Sequence, residues 1–231
     1  MLYKYNKQKM FNIQKYKEIR EKIEKNKLSS SIVAISKNHP KESVLEAIGL
    51  GIRIFGENRV MEAKQKFEEI IDNQRNIELH LTGPLQSNKV KKALDLFSVL
   101  HTIDREKIVN ELSKYKNKLL TKKLFVQVNT GKEQSKSGIY PEQLKDFLYF
   151  CKYEKEINIF GLMCIPPIDE PPKIHFKILK KLATDNNLND LSIGMSNDYD
   201  EALNFNPKYI RLGTILFGSR NETWFRYLYK S

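Results

Sequence analysis

The chain has 231 residues, 40% hydrophobic and 10% aromatic, enough to bury a sizeable core and within the range of one α/β barrel. Its formal net charge of +12 would suit a polyanion, but no nucleic-acid recognition motif accompanies it, and lysines such as Lys91 and Lys92 sit beside apolar residues as solvated helix faces do, so specific nucleic-acid binding is not expected. Charge interrupts every apolar run before it reaches the length of a signal peptide or membrane span, Cys151 and Cys164 are too few for a disulfide framework, and the four histidines lack metal-ligand spacing. A cytoplasmic protein without a structural metal is expected.

The first residues, 1–9, form a basic extension expected to fray, and 10–231 is read as one domain. Over 12–26, Ile13, Tyr16, Ile19 and Ile23 recur at helical spacing, predicting an amphipathic helix that precedes the repeat. Short apolar runs and longer periodic ones then alternate. Strands are predicted at 31–36, 53–55, 77–81, 98–102, 124–129, 159–163, 191–193 and 209–212. Helices are predicted at 41–49, 60–71, 105–115, 141–153, 172–183 and 198–204, with a further helix after the polar segment that follows the third strand. Strict alternation demands parallel strands with right-handed crossovers, and eight units in this length favour a single (β/α)8 barrel with an extra N-terminal helix over an open doubly wound sheet. The dinucleotide form of that open sheet would want glycines after the first strand, where this chain has Ser36-Lys37-Asn38-His39-Pro40.

In such a barrel chemistry sits at the C-terminal strand ends. The first strand delivers Lys37, an amine at the edge of a packed interior, where desolvation favours the neutral form that attacks an aldehyde. Strands seven and eight run into Gly194-Met195-Ser196 and Arg211-Leu212-Gly213-Thr214, whose glycines and hydroxyls suit a phosphate. Closure makes strands 7, 8 and 1 consecutive, so with strands about 4.8 Å apart Lys37 and Ser196 are roughly 10 Å apart at the backbone. Pyridoxal 5′-phosphate (PLP) fits that span, its aldehyde at Lys37, its phosphate over Ser196 and Thr214, its ring nitrogen near Arg211. Asn58, after the second strand, is placed to bond near the phenolic oxygen, and Met163, ending the sixth, to pack on the ring. Glu57 is assigned an orienting role as readily as a functional one, His80 is read as a satisfied core or rim histidine, and Asp104 as a helix cap.

These segments resemble the pyridoxal phosphate homeostasis protein family, single-domain relatives of the alanine racemase N-terminal barrel. The resemblance runs from about Asn12 to Asn221 and rests on Ala34-Ile35-Ser36-Lys37, Phe55-Gly56-Glu57-Asn58, the run HLTGPLQSNK at 80–89, His101-Thr102-Ile103-Asp104, Ser135-Lys136-Ser137-Gly138, Gly161-Leu162-Met163, LSIGMS at 191–196 and Arg211-Leu212-Gly213-Thr214. It implies Lys37 as the Schiff-base lysine, Ser196, Gly213 and Thr214 on the phosphate, Arg211 at the pyridine nitrogen and Asn58 beside the cofactor. The expected function is a PLP carrier in vitamin B6 homeostasis with no robust catalysis, passing PLP to apo PLP-dependent enzymes, and a closed barrel without a second domain is compatible with a monomer. The alternative is a PLP-dependent amino acid racemase. Racemases resembling this barrel draw a second base, a tyrosine, from an added β domain, for which too few residues are expected to remain after strand eight. The basic extension and the aromatic stretch 224–229 depart from the family pattern.

Overall fold

In the computed structural model, which describes residues 10–73 and 76–218, eight parallel strands close into a barrel in sequence order. The basic extension and the aromatic stretch 224–229 lie outside the described residues. The strands are β1 (Ser31–Ile35), β2 (Ile54–Glu57), β3 (Glu78–Leu81), β4 (Val99–Ile103), β5 (Lys123–Gln127), β6 (Gly161–Met163), β7 (Asp190–Ser192) and β8 (Tyr209–Leu212). Closure is made by β1 pairing with β8, Ser31 opposite Tyr209 through Ala34 opposite Leu212. Parallel strands buried on both sides read as nearly unbroken apolar runs, and here the period of two separates the two sides. Val33, Ile35, Val99, Phe125, Met163 and Tyr209 pack inside the barrel. Their neighbours Ile32, Ala34, Leu100, Leu124, Val126, Leu162 and Ile210 join the larger core beneath the helices.

Around the strands lie α2 (Lys41–Gly49), α3 (Val60–Asn73), α4 (Val90–Leu96), α5 (Glu106–Leu112), α6 (Lys116–Leu119), α7 (Leu144–Tyr149), α8 (Pro172–Asp185), α9 (Tyr199–Leu203) and α10 (Thr214–Phe217). The leading helix α1 (Ile13–Lys25) starts at Asn12, whose side chain accepts the Lys15 N–H at 3.0 Å. It docks on α10: the Asn12 N–H donates to the Leu216 carbonyl at 2.7 Å, and the Phe11 ring meets Phe217 edge-on at 5.0 Å.

The barrel expectation holds, and the departures are local. The helix read over 105–115 ends at Leu112, where its buried stripe Ile108, Val109 and Leu112 ends, and continues as a 3-10 turn and α6. The one read over 141–153 opens as a 3-10 turn at Pro141 and closes as a π turn over Phe150–Glu154, which keeps Cys151 buried. Asp104 does not cap α5. Its carboxylate is drawn instead to the Arg105 guanidinium at 2.5 Å, and no side chain caps that helix start.

Candidate functional site

A cavity of about 270 Å³ opens at the C-terminal ends of the strands, close to the smaller ligand sites of about 300 Å³. Lys37, Asn58, Ser196, Arg211, Gly213 and Thr214 all line it, together with Thr82, Ile35, Ile165, Met195 and Asn197. Met163 does not. As the last residue of β6 it points inward, fully buried in the interior cluster with Val33, Ile35, Val99 and Phe125, while Ile165, two residues on, reaches the cavity.

Lys37 sits half-buried in the turn that leaves β1. Both backbone positions beside it are clamped from α3. Lys66 Nζ donates to the Ser36 carbonyl at 2.8 Å, and Glu62 Oε1 accepts the Asn38 N–H at 2.7 Å. Glu57, ending β2, ties the cluster together: its Oε1 accepts from the Ser36 hydroxyl and from Lys66, each at 2.7 Å, and Lys66 also reaches Glu62 at 2.9 Å. Burial pushes the Glu57 carboxyl up to about 7 against the pull of Lys66, with Glu62 adding to the rise. Its Oε2 is buried without a hydrogen-bond partner in this structure.

Asn58 is set by the neighbouring strand. Its Oδ1 accepts from the Thr82 hydroxyl at 3.0 Å, so the amide nitrogen is the donor that bond leaves available. Gly83 makes the approach possible, since a Cβ there would lie 2.3 Å from the Asn58 carbonyl oxygen. At the other wall Gly194, at φ +89°, turns the chain out of β7, and Asp198 holds the turn by accepting the Met195 N–H at 2.5 Å. Ser196 Oγ accepts the Ile215 N–H at 3.4 Å, joining the loops after β7 and β8.

Arg211 projects from β8 into the barrel axis and is 5% exposed. Its Nη1 donates to Ser192 Oγ at 2.7 Å and its Nη2 to the Cys164 carbonyl at 3.0 Å. Burial lowers its pKa from the ordinary arginine value. Below it a polar chain crosses the interior. Ser192 Oγ lies 2.8 Å from His101 Nδ1, His101 Nε2 lies 2.9 Å from His80 Nδ1, and His80 Nε2 lies 2.7 Å from Glu78 Oε1. Burial holds both histidines below their ordinary values, His101 well below. His80 is therefore a satisfied core histidine, as the sequence suggests.

The donors at this mouth fit a small phosphorylated aldehyde. A primary amine stands at one wall, hydroxyls and a glycine-bearing turn at the other, and a cation lies between them on an adjacent strand. The sequence reading missed Lys66, although its spacing from Ala63 and Ile70 on the buried stripe of α3 marks it as an inward position.

The family model for the alanine racemase N-terminal domain matches residues 13–221. The pyridoxal phosphate homeostasis protein of Aquifex aeolicus is 33% identical over 202 residues, covering 83% of this chain and 87% of that protein. That of Synechocystis sp. is 38% identical over 208 residues, covering 83% and 92%. Among solved structures, PipY of Synechococcus elongatus without PLP superposes with a TM-score of 0.80 at 32% identity, covering 89% of this chain and 99% of PipY. Its PLP-bound form gives 0.77 at 31%, with the same coverage. With these matches spanning most of its length, the chain belongs to the alanine racemase N-terminal domain family and, within it, to the pyridoxal phosphate homeostasis proteins.

Proposed function

We propose that this protein binds PLP at the barrel mouth and holds it through a reversible covalent bond to Lys37, as a noncatalytic carrier in vitamin B6 homeostasis. The observation that carries the reading is that Lys37, Ser196, Arg211, Gly213 and Thr214 line one cavity, at the ends of three consecutive strands of the closed barrel. The neutral Lys37 amine adds to the aldehyde carbon and water leaves, giving a Schiff base that hydrolyses back. The imine is the chemistry the cofactor supplies; the remaining roles belong to the chain. Ser196, Gly213 and Thr214 hold the phosphate. Arg211 faces the ring nitrogen, and as a group that keeps its proton it donates a hydrogen bond without handing that proton over. Such a ring is a weak electron sink, which suits storage better than carbanion chemistry. Asn58 bonds beside the phenolic oxygen.

No helix among the described residues is long and apolar enough to cross a membrane, and the proposed setting is the cytoplasm, with PLP passed by a monomer to apo PLP-dependent enzymes. The homeostasis proteins that this chain resembles carry a name that fits a noncatalytic role. Borohydride reduction of the PLP-loaded protein followed by peptide mass mapping should place a pyridoxyl adduct on Lys37, and Lys37→Ala should abolish the imine absorbance. An intact imine band in that variant would overturn the assignment. Multiple-turnover racemisation or transamination of added amino acids at ordinary enzymic rates would overturn the carrier reading.

A further inference from the structure

The interior polar chain is not needed to fill the barrel. Layers of valine, isoleucine and leucine do that in most such folds, and a buried polar group left unpaired is costly, so a chain of this kind persists only if every member is satisfied. Here satisfaction fixes the direction of each hydrogen bond. Arg211 can only donate, so Ser192 Oγ accepts from it. At the far end the Glu78 carboxylate can only accept, so His80 carries its proton on Nε2. Burial keeps each ring neutral, with one proton per ring. His80 Nδ1 then accepts from His101 Nε2–H, and His101 Nδ1 accepts the Ser192 hydroxyl proton. The opposite order would aim a His80 lone pair at a carboxylate and leave the Ser192 proton without this acceptor. A hydroxyl that gives its proton away is a stronger acceptor, so the bond from Arg211 is reinforced by everything beneath it.

We propose that Glu78, His80, His101 and Ser192 form a positioning relay through which the opposite rim of the barrel sets the orientation of Arg211, and thereby the electronic character of PLP bound above it. This rests on the reading that the PLP ring nitrogen meets Arg211. Glu78 is the member that reaches solvent, with its side chain 38% exposed, and the Tyr209 hydroxyl lies 3.5 Å from the same carboxylate oxygen. Direction is therefore imposed by a residue that can be altered without opening the core. Glutamine has the same shape, but its amide can donate or accept, so Glu78→Gln removes the instruction and keeps the packing.

The test combines two readouts on protein with 15N-labelled histidine. In the wild-type apo protein, imidazole NMR should show both buried rings protonated at Nε2 and bare at Nδ1. In Glu78→Gln a second tautomer should become populated, and after PLP loading the imine band should shift with several-fold weaker retention of PLP. Wild-type rings protonated at Nδ1 would overturn the relay with no variant required. Tautomers that mix in Glu78→Gln while band and retention stay at wild-type values would overturn its reach to the cofactor, since a merely structural change has no reason to spare one readout and move the other. A wild-type protein with no imine band at all would overturn the binding reading and this one with it; the apo tautomers separate that failure from the others.

Discussion

Lys37 is held through its backbone by charges packed between the sheet and a helix, whereas Arg211 is held through its side chain by the Ser192 hydroxyl and the Cys164 carbonyl, with neutral rings behind Ser192 inside the barrel. The charged clamp sets one cation, Lys66, against two carboxylates, and its surplus negative charge is relieved by the high pKa of Glu57. The interior chain carries no charge between its ends and is satisfied by direction alone. Charge pairs packed away from water depend on every partner and answer to pH; a hydrogen-bond chain of neutral groups depends on polarity.

The largest effect should come from breaking the clamp. Lys66→Met leaves Glu57, Glu62 and the Ser36 carbonyl without their cation, and removing one partner of a buried pair costs about 3–5 kcal/mol. Urea denaturation should show that loss. Adding Glu57→Gln should restore part of it by removing the charge left behind.

Next in size is the pH dependence of the clamp, opposite in sign to that of the buried histidines, whose lowered folded pKa values favour the native state above the ordinary 6.5. Because burial raises the folded Glu57 pKa from 4.5 to about 7, the native state binds the extra proton between those values. Its contribution is fully present below pH 4.5 and is lost as pH rises through about 7. The loss is on the order of 3 kcal/mol. Glu57→Gln should therefore gain on wild type between pH 5 and 7 in paired urea melts. A difference that stays flat across that window would mean Glu57 is ionised throughout.

A smaller effect is expected inside the barrel. Ser192→Ala takes the acceptor from Arg211 and the donor from His101, leaving buried groups unpaired at a cost of about 1–3 kcal/mol. Its penalty should be read at pH 7, above the ordinary histidine value from which burial lowers both rings.

The two networks were unequally legible in the sequence. Lys37 and Arg211 stand out because strand alternation and barrel closure assign strand ends to one rim, which is a local pattern plus one topological rule. Asn58 and Ser196 follow in the same way. The pairing of His101 with Ser192 spans 91 residues and exists only once the barrel closes, so no spacing announces it. Met163 shows the converse limit: a strand end gives the rim, but how far each side chain stands from the cavity depends on how the following loop turns, and after β6 it is Ile165, two residues on, that lines it. Asp104 was misread because its position beside a helix start resembles a cap, while the adjacent Arg105 guanidinium offers it a stronger partner.

The smallest expected effect separates burial from charge on one helix. Lys64 and Lys66 are two residues apart on α3 and look alike in composition, yet Lys64 pairs with Glu68 one turn on, at 3.3 Å, with both side chains about half exposed (43% and 57%), whereas the Lys66 side chain is 9% exposed. Water screens the first pair and an exposed helix pair contributes about 0.3–0.5 kcal/mol, so Lys64→Met should lower stability by no more than that. Its imine absorbance should match wild type, because Lys64 bonds to neither backbone position beside Lys37. The same replacement two residues on removes the grip on the Ser36 carbonyl and should move both readouts. Equal losses in the two variants would mean that the surface pair and the clamp are energetically alike, and that the turn carrying Lys37 is held by something other than Lys66.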